Sequence, residues 1–179
     1  MRKLILQMQV SLDGFVGRRD GDVEWAFPDF SDDAVAWIVD HISDVGAHLM
    51  GRSLYHDMAA HWPTSTEPYA QPMNDIPKIV FSSTLKKADW NKTEIVSGDV
   101  GTEVKRLKAE PGKDLLVHGG ARLVQSLTRA GLVDEYRLLI HPVVLGEGLR
   151  LFGLEQPTRL KHVETTTFTS GLIAAVYRA

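Results

Sequence analysis

Three turns of unusual composition each close a short apolar run. Met50-Gly51-Arg52-Ser53 ends the run Ala47–Met50, Ser82-Ser83-Thr84 ends Lys78–Phe81, and His118-Gly119-Gly120-Ala121-Arg122 ends Asp114–His118. Runs of that length flanked by residues at helical spacing read as buried strands alternating with helices. In an open α/β sheet, the carboxyl ends of the strands form the edge at which ligands bind. The order of these segments therefore predicts an α/β domain whose three special turns lie along a single edge.

The rest of the chain fits that frame. Met1–Val10 reads as a buried strand, with polar Gln7 and Gln9 interleaved near its end. Ser31 is placed as the N-cap of a helix over 31–45. Asp32 and Asp33 lie in its first turn, where negative charge suits the helix dipole, and Ala34, Ile38, Ile42 and Val45 lie on one face. Residues 51–60 look helical, as do 100–109, and a further helix carries Leu123, Val124 and Leu127 inward and ends at Gly131. Glu94–Ser97 is a strand. From Asp134 the pattern is strand-like in three segments, 134–144, 159–169 and 171–178, with Gly171 in a tight hairpin. This is a mixed three-layer α/β sheet in one domain, 1–179. Residues 11–30 and 61–76 read as long irregular excursions, and loops of that length in a compact domain are commonly functional.

Each turn suits a phosphorylated ligand. Gly51 lets the backbone approach closely, the helix start at Arg52 and Ser53 offers unpaired N–H groups, and Arg52 adds a positive fork. Ser82, Ser83 and Thr84 precede Lys86 and Lys87, and no acid lies between Lys78 and Lys87. Three hydroxyls and two ammonium groups fit the 2′-phosphate of NADPH, whereas a site for NADH more often carries an acid for the ribose hydroxyls. Gly119 and Gly120 let the chain pass flat beneath a bulky group, with Ala121 and Arg122 opening a helix toward a diphosphate or nicotinamide.

Composition excludes several classes. The chain has no cysteine, so disulfides, thiolate metal sites and cysteine nucleophiles are absent together. A formal net charge of −3 with both signs dispersed points to no nucleic-acid or anionic-membrane partner. The opening apolar stretch is too short for a signal peptide or a membrane span, so a cytoplasmic location is expected. His56 and His61 lie off the spacing of helical zinc pairs, and no metal is expected. His162-Val163-Glu164 matches half of a zinc-deaminase signature, but no cysteine completes it.

Taken together, several stretches resemble the reductase domain of the bifunctional riboflavin deaminase-reductases and its dihydrofolate-reductase-like relatives. They are Gln9-Val10-Ser11-Leu12-Asp13-Gly14, Met50 to Tyr55, Lys78 to Leu85, Val117 to Ala121, Leu132 to Tyr136, Pro142 to Gly148 and Leu151-Phe152. The resemblance implies a mostly parallel sheet of about eight strands with a C-terminal antiparallel hairpin, NADPH as cofactor, hydride transfer and a homodimer. It places Gly51, Arg52 and Ser53 at the cofactor phosphates, and Ser82, Ser83 and Thr84 near the adenosine 2′-phosphate. Gly119, Gly120, Ala121 and Arg122 fall along the diphosphate and nicotinamide. Asp13 and Gly14 match the start of the loop covering nicotinamide and substrate, and Gly146, Glu147 and Gly148 match a late glycine turn on the substrate side. The activity implied is that of a 5-amino-6-(5-phosphoribosylamino)uracil reductase, acting on a heterocycle, imine or carbonyl.

The proton that follows the hydride has three candidate sources: Asp13, Glu147 or solvent. Asp13 reads equally as an Asp-Gly turn residue. Trp25, Phe27 and Trp62 serve equally as stacking platforms or as local packing. A dihydrofolate or pterin reductase is an alternative, weakened because Asp32 and Asp33 are not spaced to Gly51 as the pterin-protonating carboxylate is in that family. A catalytically silent NADPH sensor, or a small-molecule binding protein, is the other.

Overall fold

The computed structural model describes residues 1–153 and 157–179. The strands are β1 (Leu4–Ser11), β2 (Phe15–Gly17), β3 (Ala47–Gly51), β4 (Lys78–Phe81), β5 (Thr93–Val96), β6 (Leu115–Gly119), β7 (Glu135–His141), β8 (Leu149–Arg150), β9 (Lys161–Thr167) and β10 (Ile173–Arg178). The α-helices are α1 (Asp32–Ser43), α2 (Arg52–His61), α3 (Ala70–Asp75), α4 (Val100–Ala109) and α5 (Ala121–Arg129). Eight strands form one sheet in the order β5-β4-β3-β6-β1-β7-β10-β9, and β2 pairs with β8 in a small second sheet. From β5 to β7 every neighbouring pair is parallel; β10 runs antiparallel to β7 and to β9.

The central strands are apolar on both faces because helices cover both. Leu4, Leu6, Leu49 and Val117 pack with Val104 and Leu107 of α4 and Leu123, Val124 and Leu127 of α5. Ile5, Met50, Val80 and Leu116 pack with Ala34, Ile38 and Ile42 of α1, Tyr55 of α2 and Met73 of α3. Each such side chain, fully buried, contributes about 1.5–3 kcal/mol. No helix of the described residues is long and apolar enough to cross a membrane.

The excursions hold more structure than their sequence suggests. Residues 61–76 contain a 3₁₀ turn at Trp62–Thr64 and the helix α3. Pro72 falls in the first turn of α3, where a missing N–H costs no helical bond. Residues 11–30 contain β2 and a 3₁₀ segment, Glu24–Asp29. The strand expected over 134–144 stops at His141, before Pro142, which lacks the donor a strand interior needs.

Ser31 does occupy the N-cap of α1, but its hydroxyl turns to Asp33 rather than to a helix N–H. The Asp33 carboxylate also accepts from the backbone N–H and the hydroxyl of Thr169, each at 2.9 Å, and so ties α1 to the β9–β10 hairpin. These hydrogen bonds, Ser31 first, hold its pKa down at about 2. A depressed carboxylate stabilises the fold above its ordinary titration range and loses that contribution as pH falls from 3.8 through about 2. In urea unfolding, Asp33→Asn is therefore expected to lower stability at about pH 6, and its gap from the natural protein should narrow as pH falls from 3.8 toward about 2; an equal gap at about pH 6 and at about pH 2.5 would contradict the clamp.

Candidate functional site

The turns that begin at Gly51, Ser82 and Gly119 cap β3, β4 and β6, which are neighbours in the order β4-β3-β6. All three strands are parallel, so their carboxyl ends stand side by side. Arg52 donates from its guanidinium to the hydroxyl of Thr84 at 2.7 Å, joining the first turn to the second. A Cβ built on Gly120 would lie 3.7 Å from the Gly51 nitrogen, so the first and third turns pass within a methyl group of each other. Gly120 has φ +87°, a left-handed conformation that a side chain strains.

The two helices rising from this rim are open at their N-termini. Neither α2 nor α5 has a side-chain cap or an acid in its first turn, and their N-cap residues are Gly51 and Gly120. In contrast, α1 carries Asp32 and Asp33, and the carboxylate of Asp99 accepts from Thr102 N–H to cap α4. A helix start that nothing internal satisfies is the natural seat of an anion. Around these two starts lie the exposed side chains of Arg52, Ser53, Ser83, Thr84 and Arg122. The oxygen of Ser82 accepts from the backbone N–H groups of Thr84 and Leu85 and so shapes its own turn. Lys87 is paired with Asp89 at 2.5 Å, whereas Lys86 makes no ion pair among the described residues. This cradle fits a dinucleotide carrying phosphates: two uncapped helix starts, a glycine contact a Cβ would fill, and a cationic and hydroxylic flank.

The residues expected on the substrate side form a second group. Asp13 accepts from the hydroxyl of Ser11 at 2.7 Å and from the backbone N–H groups of Leu145 and Gly146 at 3.1 and 2.7 Å. These bonds, the serine one first, hold its carboxyl below the usual range. Asp13 thus staples the loop at Gly14 to the late glycine turn, and β2–β8 pairing continues the same seam. Glu147 is exposed and pairs with Arg19 at 2.6 Å. Gly148 passes against the carbonyl of Gly17, where no Cβ fits. Trp25 donates from its indole N–H to the Asp22 carbonyl and sets its ring edge-on to His141 at 5.3 Å.

The structure adds polar contacts that sequence reasoning did not find. His118 Nε2 lies 2.8 Å from Nδ1 of His48, which is fully buried on β3. Burial pushes His118 down to about 4, and lowers His48 well below its ordinary value, so both are neutral near pH 7. The buried side-chain oxygen of Gln7 has no partner among the described residues. His141, also fully buried, joins Asp29 to Gln9. The signal available was a polar residue inside an apolar run, visible at Gln7, Gln9 and His48 but silent about partners.

A recess of about 650 Å³ lies at the opposite edge, around Gly46, Lys78, Trp90 and Asn91. The ammonium of Lys78 donates there to the Met73 and Asn74 carbonyls and to the Asn91 side-chain oxygen, beside the Trp90 ring, and burial pushes its pKa down to about 8. It has no donor left for a ligand. Among the described residues, no three His, Asp or Glu side chains gather as a metal site.

Comparison with known proteins agrees with this architecture. The chain is 36% identical to the uncharacterized protein YyaP of Bacillus subtilis over 98% of its own length and 94% of that protein's. It is 24% identical to the riboflavin biosynthesis protein RibD of Corynebacterium ammoniagenes, covering 87% of this chain and 48% of that one. Among solved structures, a riboflavin biosynthesis protein from Shewanella sp. PV-4 superposes with a TM-score of 0.80 at 23% identity, over 98% of both chains. The bifunctional deaminase and 5-amino-6-(5-phosphoribosylamino)uracil reductase of Thermotoga maritima matches with a TM-score of 0.69 at 16% identity, over 99% of this chain and 56% of that one. The RibD C-terminal domain matches residues 2–174, and the chain belongs to that family of reductase-type domains.

Proposed function

We propose that this protein is an NADPH-dependent reductase that transfers a hydride to a heterocyclic, imine or carbonyl substrate, in the manner of a 5-amino-6-(5-phosphoribosylamino)uracil reductase. The observation that carries the reading is the pair of adjacent uncapped helix starts at Arg52 and Ala121, flanked by Arg52, Ser83 and Thr84.

NADPH, when bound, supplies the hydride from C4 of its nicotinamide to an electrophilic carbon and leaves as NADP⁺. The chain's own residues bind and orient. The N–H groups at the starts of α2 and α5 hold the diphosphate, and Arg52 with Ser83 and Thr84 holds the 2′-phosphate. Gly119 and Gly120 admit the flat ring. Asp13, through Leu145 and Gly146, fixes the loop that closes over the substrate. Because the carboxylates of Asp13 and Glu147 are engaged, the final proton comes from water. A homodimer in the cytoplasm, acting on a small molecule, is part of the same proposal.

Fluorescence titration tests the reading. NADPH is expected to bind at least tenfold more tightly than NADH, about 1.4 kcal/mol. Arg52→Ala and Ser83→Ala should erode that preference, and finding both neutral would contradict the site. Gly120→Ala places a Cβ against Gly51 in a strained conformation worth about 1–3 kcal/mol. It is expected to weaken NADPH by tenfold or more and to lower the Tm, whereas Asp33→Asn should leave NADPH affinity unchanged. Tight NADPH binding without oxidation by any pyrimidine, pterin or carbonyl would identify a sensor instead.

A further inference from the structure

The sheet splits at one place along the rim. The β1–β6 ladder ends at Leu6 opposite Val117, while β1 goes on pairing with β7 as far as Ser11 and His141. Gln7 and His118 are the first residues past the end of the β1–β6 ladder, and the Gly119–Gly120 turn follows at once. Side chains alternate along a strand, so Gln7 and His118 lie on the face of Ile5 and Leu116, the one covered by α1, α2 and α3. On the other face Met8 fills the split, its sulfur 3.1 Å from where a Cβ on Gly119 would stand. His118 is half-buried, and its Nε2 is taken up by His48 Nδ1 at 2.8 Å. Among the described residues, the side-chain polar atoms buried without a partner are the Gln7 oxygen, His48 Nε2 and the Tyr69 hydroxyl. His118 Nδ1 also lacks a partner among the described residues but is not one of these buried atoms, so a ligand at the rim can reach it.

Hydrogen-bond valence fixes what that nitrogen offers. Both rings are neutral near pH 7. Two neutral imidazoles carry two protons on four nitrogens, and one of those protons fills the bond they share. The other sits on His48 Nε2 or on His118 Nδ1. The backbone group that acts on His48 is the Pro72 carbonyl. A carbonyl attracts an N–H and repels a lone pair, so His48 keeps its proton on Nε2. His118 then donates from Nε2, and its Nδ1 is left as a lone pair. We propose that His118 contacts the substrate through Nδ1, accepting a ring N–H of a uracil-type heterocycle, and that His48 is the positioning residue that keeps Nδ1 an acceptor. The site then selects rings with an N–H at that edge over simple carbonyl compounds and N-alkylated rings, because a wrong ring leaves the acceptor unpaired. The Gln7 oxygen on the same face is a second acceptor without a donor. The substrate class rests on the reductase reading; the proton positions in the histidine pair do not.

Two measurements test it on the full chain. Long-range ¹H–¹⁵N spectra of histidine-labelled protein at neutral pH are expected to show His48 and His118 each with one proton, on Nε2. A proton on His118 Nδ1 overturns the proposal, and because these spectra need no variant they decide it even where a substitution unfolds the chain. Calorimetry on the NADPH-saturated protein compares 5,6-diaminouracil with its 1,3-dimethyl derivative, which lacks ring N–H groups. The unmethylated ring is expected to bind about tenfold more tightly, the scale of one hydrogen bond. In His118→Leu that preference should fall below about threefold. His118→Asn, which still offers an oxygen close to the place of Nδ1, should restore it. His48→Leu should lower the preference when His118 is present and leave it unchanged beside His118→Asn, a split that a merely structural role would not give. Equal affinity for the two pyrimidines, an unchanged preference in His118→Leu, or no binding of 5,6-diaminouracil by a protein that does bind NADPH overturns the inference and leaves the reductase reading standing. Failure to bind NADPH overturns the reductase reading alone, and the spectra still decide the histidine pair.

Discussion

The parallel pairing of β3 between β4 and β6 sets the geometry of the whole rim. Parallel strands end at the same edge, and in this sheet the three that end in glycine or hydroxyl turns are immediate neighbours. Their register is held by apolar side chains buried on both faces; a one-residue slip would drive His48 and Lys78 into the space of Leu49 and Ile79. The Arg52–Thr84 bond and the contact of Gly120 with Gly51 then follow from strand order. None of the three turns alone is a strong feature. Side by side they leave two helix starts open to the same ligand.

The helices divide accordingly. Away from the rim, α4 is capped by Asp99, and Asp33 takes the Ala34 N–H in the first turn of α1. Where a helix rises from the rim, glycine takes the N-cap and the N–H groups are left unspent. The carboxylates of the loop after β1 and of the late glycine turn are used differently again. Asp13 and Glu147 hold backbone or arginine partners, so they shape the loop rather than stand free within it.

Much of the fold was legible in the sequence. Period-3.6 apolar faces marked α1, α4 and α5, and short apolar runs marked β1, β3, β4 and β6. Gly131 and Gly171 fall where a helix end and a hairpin needed them. The gaps have physical causes. β2 and β8 are three and two residues long, too short for any period to show. α3 carries a proline that reads as a breaker, yet sits in a first turn that tolerates it. The rim of three turns was legible because each turn is local in sequence. The Asp29–His141–Gln9 chain was not, since its members are brought together across 112 and 132 residues by the β1–β7 pairing.

The central claim is that the open starts of α2 and α5 hold one phosphorylated dinucleotide between them. Backbone ¹H–¹⁵N spectra recorded during NADPH addition test it most directly. The expected result is that the amides of Arg52, Ser53, Ala121 and Arg122 shift together, with a single saturation curve, while those lining the recess at Lys78 and Asn91 stay still. Shifts confined to that opposite recess, or separate curves for the two helix starts, would contradict the account.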